Sequence, residues 1–282
     1  MKLLRYGPAG REKPGMLDAT GGIRDLSRIV ADIGWGEISP GGLRKLAKIK
    51  PESLPLVKGS PRLGVPYTGI SKFVAIGLNY ADHAKEAGMA IPAEPILFNK
   101  WTTSISGPND DIVVPKGSTK LDWEVEIAVV IGAKAKEIEE KDAGKYIAGY
   151  CVVNDVSERN FQVERGSQWD RGKGCDTFGP IGPYLVTQDE VGDPQNLDMW
   201  LKVNGAVKQT GNTRTMIFGC HNIVAYCSQF MTLLPGDIIT TGTPPGVGMG
   251  MKPTPQFLLA GDVVELGIEK LGVQRQVVKP HP

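Results

Sequence analysis

The run Asp122-Trp123-Glu124-Val125-Glu126-Ile127-Ala128-Val129-Val130-Ile131 decides how this chain is read. It alternates with the period of a β-strand. Over 123–131, Trp123, Val125, Ile127 and Val129 share one face, and Glu124 and Glu126 share the other. Two carboxylates so placed lie about 5 Å apart, where repulsion at an effective dielectric of 20 is on the order of 3 kcal/mol. Burial adds to that cost, so a cation is expected nearby. Taken alone, the pair also fits the solvated outer face of an antiparallel strand.

A second acid, Asp155, ends another apolar strand, Tyr150-Cys151-Val152-Val153-Asn154, and the polar residues from Val156 to Gln162 read as a capped helix start. Glu124, Glu126 and Asp155 together offer three hard oxygen ligands. Such a set suits octahedral Mg²⁺ or Mn²⁺, with water and substrate filling the remaining positions. Zinc more usually recruits His or Cys.

Of the three histidines, His281 lies in the tail, and His221, in the apolar segment Phe218–Val224, reads as a hydrogen-bonded structural residue. His83 precedes Glu86 by three residues, so both project from one helix face. A carboxylate beside an imidazole fixes its tautomer and raises its basicity, as a general base requires. A plain surface helix with paired charges is the competing reading. Two Gly-rich loops complete the candidates. In 168–180, Lys173 sits between Gly172 and Gly174 and can approach a ligand closely. The loop 240–250 lacks the ending of a phosphate loop but offers N–H groups and hydroxyls suited to a carboxylate.

Composition narrows the class. The 282 residues are 41% apolar, enough for a full core, and the formal charge of +1 comes without charge blocks. Nucleic acid and membrane are therefore not expected as partners. No apolar run approaches the ~20 residues of a bilayer span, and the N-terminus reads as a strand, not a signal peptide, so a cytoplasmic location is expected. The four cysteines, Cys151, Cys175, Cys220 and Cys227, are too irregularly spaced for a disulfide framework and read as buried thiols, with only Cys175 in a setting where reactivity is conceivable.

With 36 Gly and 21 Pro, short strands and turns are favoured over long helices. Strands are expected at 2–6, 23–26, 73–77, 96–98, 148–155, 183–187, 198–203, 207–210, 237–241 and 263–268. Asn204-Gly205 marks a hairpin, and helices are expected from Pro40 to Ile49, Tyr80 to Gly88 and Gly219 to Met231. The prolines at 51, 55, 61 and 66 mark a linker. The expected division is a small N-terminal domain and linker, 1–69, and a catalytic domain, 70–282.

Gly77-Leu78-Asn79-Tyr80-Ala81-Asp82-His83, Asp122-Trp123-Glu124-Val125-Glu126, Asn154-Asp155-Val156-Ser157-Glu158-Arg159 and Thr241-Gly242-Thr243-Pro244-Pro245-Gly246-Val247-Gly248, in this order and at these separations, resemble the fumarylacetoacetate hydrolase family. The resemblance covers residues 70 to about 270 and implies an α+β, β-rich fold. It combines a mixed β-roll or β-sandwich main domain, flanked by short helices and typically dimeric, with a small N-terminal α/β domain. It implies Glu124, Glu126 and Asp155 as metal ligands and His83 with Glu86 as a water-activating pair on a lid. It also implies Lys173 as a catalytic lysine, Arg159 and Gln162 as substrate contacts and Thr243 as a binder of the substrate carboxylate. An additional upstream acidic ligand found in fumarylacetoacetate hydrolases proper has no clear counterpart here. That departure favours a smaller substrate, as in members similar to acylpyruvate hydrolases, diketo-deoxy-sugar-acid hydrolases and ureidoglycolate lyases.

The expected activity is hydrolytic C–C cleavage of a 2,4-dioxo acid, an acylpyruvate or a 2,4-dioxo-3-deoxy sugar acid, through a metal-stabilised enolate. Ureidoglycolate lysis, oxaloacetate decarboxylation and isomerisation could use the same site. From another class, a non-catalytic β-domain binding a metal or small acid is the alternative.

Overall fold

A computed structural model describes residues 1–281. Its larger sheet is mixed. The strands run in the order Ile23–Asp25, Lys13–Leu17, Lys2–Tyr6, Gly179–Thr187, Ile147–Asn154, Val125–Ile131, Ile238–Thr240, Phe73–Gly77 and Ile96–Lys100, and Ile105–Ser106 pairs alongside Gly179–Thr187. A second sheet runs Ala206–Asn212, Asp198–Val203, Val263–Ile268, Gly272–Lys279 and Ile112–Val113, and Leu121–Asp122 pairs with Ser157–Glu158. Ile127, Val129 and Val152 of the larger sheet share one core with Leu201, Val264 and Leu266 of the smaller. Each such fully buried side chain contributes roughly 1.5–3 kcal/mol by leaving water. The strand-rich α+β sandwich read from the sequence is therefore the fold.

The strand Val125–Ile131 is buried along its whole length. Its odd-numbered residues enter the core between the sheets, while Ala128 and Val130 pack with Leu3, Met16, Leu26, Ile33 and Ile38 in a second core. The face bearing Glu124 and Glu126 is thus covered by the N-terminal segment at one end and by the candidate site at the other. The alternative of a solvated outer face is corrected: the two residues are 6% and 1% exposed.

Residues 1–69 extend the same sheet, with Leu3 opposite Leu185, and they supply much of the second core. The hairpin turn forms as read: Asn204 and Gly205 take φ of 51° and 79°, a left-handed pair that only small turn residues adopt readily. The helices Ala81–Ala87 and Cys220–Phe230 also form, the latter burying Ile223, Val224 and Cys227. No helix among the described residues is long and apolar enough to cross a membrane.

Other expectations are corrected. Two of the longer strands were not anticipated. Lys13–Leu17 contains Pro14 and Gly15, and Gly272–Lys279 buries Gln274 and Gln276, so neither shows an apolar alternation. The helix expected after Asp155 gives way to the strand Ser157–Glu158, drawn out by pairing with Leu121–Asp122, followed by a π-helical turn at Asn160–Glu164. His221 is exposed and lies on the outside of its helix, not in a structural hydrogen-bonded niche.

Candidate active site

Antiparallel pairing assembles the acids. Val153 lies opposite Glu126, and the Asp155 N–H donates to the Glu124 carbonyl at 2.9 Å, so the end of one strand is fixed beside the start of its neighbour. One carboxylate oxygen from each of Glu124, Glu126 and Asp155 lies within 4.8 Å of the others, and all three residues are buried. No fourth acid and no His or Cys joins this group among the described residues. A compact set of three hard oxygens, short of positive charge, fits a divalent ion of the Mg²⁺ or Mn²⁺ kind.

Cations surround the acids. Lys173 Nζ donates to Glu124 Oε2 at 2.6 Å and to Asp155 Oδ2 at 2.7 Å, as sequence reasoning required of some nearby cation. Arg159 donates through Nε to Asp122 Oδ2 at 2.7 Å, through Nη1 to Gln162 Oε1 at 2.9 Å and through Nη2 to Glu124 Oε1 at 2.6 Å. Sequence reasoning missed two partners. Lys100, buried completely, donates to Asp155 Oδ1 at 2.6 Å and to the carbonyl of Lys173. Asp122 also accepts the N–H groups of Gly248 at 2.6 Å and Met249 at 3.0 Å, which ties the loop over the site to Arg159. Asp122, Glu124 and Asp155 thus pair with three cations, and Glu126 pairs with none of them.

The distribution is uneven. Burial pushes the Glu124 carboxyl up, but Lys173 and Arg159 reverse the effect and hold it at about 2. Glu126 has no such partner: burial, then the charges of Asp155 and Glu124, raise it well above the usual carboxylate range against one hydrogen bond from the Gly242 N–H at 2.9 Å. Without a bound cation the neutral form of Glu126 is the favoured one, and a dication is the natural group to displace its proton. Burial pulls Lys100 down, whereas at Lys173 the carboxylates of Asp155 and Glu124 outweigh burial and raise it.

Above the acids opens a cavity of about 410 Å³, and every sequence-derived candidate lines it except Asp155, which is wholly buried and accepts a hydrogen bond from the cavity-lining Lys173. His83 Nδ1 is 3.1 Å from Glu86 Oε2 on the helix Ala81–Ala87. A carboxylate only accepts, so this pairing puts the proton on Nδ1 and leaves Nε2 basic. Glu86 also accepts the Gly246 N–H at 3.2 Å. Gln162 gives its carbonyl to Arg159, which orients its amide N–H₂ away from that partner. The Thr243 hydroxyl donates to the Val125 carbonyl at 2.9 Å and accepts from Gln209 at 2.8 Å, so its hydrogen is already used within the protein. Cys175 stands outside the cavity, and burial pushes its thiol up, which disfavours the reactive thiolate.

Comparison with known proteins finds related sequences and related folds. The family profile described as "Fumarylacetoacetate (FAA) hydrolase C-terminal" matches residues 72–279. A Burkholderia cenocepacia (strain HI2424) protein with a provisional hydrolase name is 64% identical over 276 residues, covering 98% of each chain. The solved 2-hydroxyhepta-2,4-diene-1,7-dioate isomerase of Mycobacterium marinum is 33% identical with a TM-score of 0.74, covering 99% of this chain and 98% of that one. The maleylpyruvate hydrolase of Sphingobium sp. SYK-6, solved with manganese(II) and pyruvate, is 28% identical with a TM-score of 0.82, covering both chains completely.

Proposed function

This chain belongs to the fumarylacetoacetate hydrolase family, and from that premise we propose that it hydrolyses a C–C bond of a small 2,4-dioxo acid with Mg²⁺ or Mn²⁺ held by Glu124, Glu126 and Asp155. Members of the family are metal-dependent hydrolases, isomerases and lyases, so the non-catalytic reading is set aside. The observation that carries the proposal is the convergence of those three acids, two of them lining a cavity whose wall bears the His83–Glu86 pair.

A bound dication supplies the positive charge that anchors and polarises a 2-oxo carboxylate. The chain's own residues then carry the proton. His83 Nε2 takes a proton from water while Glu86 accepts the Nδ1–H and steadies the imidazolium. The water oxygen adds to the C4 carbonyl, the C3–C4 bond breaks, the acyl part leaves as a carboxylic acid, and the imidazolium returns its proton to C3 to give pyruvate. Lys173 keeps an ammonium at the floor, where negative charge grows as that bond breaks. Arg159 holds Glu124 in place and, with Gln162, forms the wall against which substrate oxygens would lie.

The likeness to an isomerase favours a second reading, proton transfer along a 2-hydroxydiene acid by the same His83. The test is a side-by-side assay with Mn²⁺ of acylpyruvates, 2,4-dioxo-3-deoxy sugar acids, ureidoglycolate, oxaloacetate and a 2-hydroxydiene dioate. Fastest turnover of a 2,4-dioxo acid, abolished by chelator, is expected. Faster decarboxylation, lysis or isomerisation would replace the reaction while keeping the site. We place this activity in a cytoplasmic homodimer, and sedimentation of the purified chain tests the assembly.

A further inference from the structure

The cavity has two chemically different ends. At its floor lie Glu124, Glu126, Arg159 and Lys173, where charge can meet an oxo acid. Outward, the walls turn apolar. Phe98 begins the change: its ring centroid is 5.3 Å from Lys173 Nζ, so it stands directly beside the charged floor. Trp169 packs edge-on against Phe98, with centroids 5.4 Å apart at 68°. The indole can lie there because residue 77 is glycine; a Cβ at Gly77 would sit 2.5 Å from Trp169 Cζ3. At the mouth, Met89, Val163 and Met249 line the same cavity and are 53%, 38% and 43% exposed, large apolar side chains left about half open to solvent.

We propose that Phe98 and Trp169, continued by Met89, Val163 and Met249, form a subsite for an apolar acyl group, so that the substrate is a 2,4-dioxo acid ending in an alkyl or aryl tail. The inference rests on the preceding reading for the oxo-acid head and goes beyond it in choosing the tail. A polyhydroxylated tail would bring hydroxyls against the Phe98 ring and the side chains of Met89, Val163 and Met249, which offer them no strong hydrogen bond, and each hydroxyl left unpaired there loses its hydration without return. A tail ending in a second carboxylate would find only Lys252 at the rim, and that side chain is exposed, where an ion pair contributes little. An apolar tail instead covers surface that is otherwise open to water.

Binding of inert 2-oxo acids tests the subsite without turnover. Isothermal titration of the Mn²⁺-loaded protein would compare pyruvate, 2-oxohexanoate, phenylpyruvate and 2-oxoglutarate. Burial of a methylene is worth up to about fourfold in affinity, so 2-oxohexanoate and phenylpyruvate are expected to bind about tenfold or more tighter than pyruvate. In Trp169→Ala that ratio collapses toward one, and in Trp169→Phe most of it returns. Equal affinities, tightest binding of 2-oxoglutarate, or a ratio that survives Trp169→Ala overturns the proposal, and failure of every 2-oxo acid to bind overturns it together with the oxo-acid reading. The expected pattern without hydrolysis of any acylpyruvate would remove the hydrolytic reaction and leave the subsite standing.

Discussion

The ammonium group of Lys100 lies 2.6 Å from Asp155 Oδ1, with both side chains wholly out of solvent. Lys173 holds the other oxygen of the same carboxylate, so Asp155 is clamped from two sides before any metal arrives. Removing Lys100 leaves Asp155 with Lys173 as its one remaining cation, so the cost stays below the roughly 3–5 kcal/mol of a buried charge stripped of its only partner. Lys100→Met is therefore expected to lower the melting temperature markedly and to weaken Mn²⁺ binding about 10–100-fold, the usual range for groups that orient a ligand. Calorimetry and metal titration check both, and unchanged Mn²⁺ affinity would remove Lys100 from the site.

Glu126→Gln should separate fold from function. Because burial and the neighbouring carboxylates favour the neutral form of Glu126 in the metal-free protein, a neutral amide of the same shape is expected to replace it with little change in stability. Metal-dependent turnover should disappear. Full activity in this variant, or in excess chelator, contradicts Glu126 as a ligand.

The two glutamates have opposite pH signatures in the metal-free protein. Glu124, held at about 2 against an ordinary 4.5, contributes stability that is present above pH 4.5 and lost as pH falls toward 2. Glu126, raised, binds its proton more tightly folded than unfolded, so its contribution is present below pH 4.5 and declines as pH rises above that value. Melting temperature against pH should therefore decline on the alkaline side in chelator, less so in Glu126→Gln. Mn²⁺ binding should release a proton and tighten as pH rises. A pH-independent Mn²⁺ affinity would count against a protonated Glu126.

His83→Asn and Glu86→Gln should lower kcat by about 10²–10⁴, the range for a general base, with Mn²⁺ affinity unchanged because neither residue touches the acids. Parallel loss of metal binding would instead make the pair structural.

The N-terminal unit, 1–69, can be tested by truncation. We expect residues 70–282 alone to aggregate or melt far lower, since removal uncovers Ala128, Val130, Cys151, Val153, Ile181 and Leu185. A stable, active truncated chain would make 70–282 an independent folding unit.

Much of the site was legible because its chemistry repeats locally. Glu124 and Glu126 advertise themselves by interrupting an apolar strand on one face, and Asp155 by ending another. Lys100 and Asp122 were not legible for the opposite reason. In Ile96-Leu97-Phe98-Asn99-Lys100-Trp101, a lysine at a strand end beside an exposed tryptophan reads as surface, and only the pairing of Phe73 with Lys100 across the sheet turns it inward. Asp122 spends its oxygens on a loop more than a hundred residues away, a relation that no window of sequence contains. The same holds for Gln274 and Gln276, whose buried amide contacts to Val152, Asn154 and Pro108 replace the apolar pattern expected of a core strand.

Glu86 serves two masters, the imidazole of His83 and the backbone N–H of Gly246. The orientation of the imidazole and the position of the loop at Gly246 are therefore set by one carboxylate, so a change at either end is felt at the other.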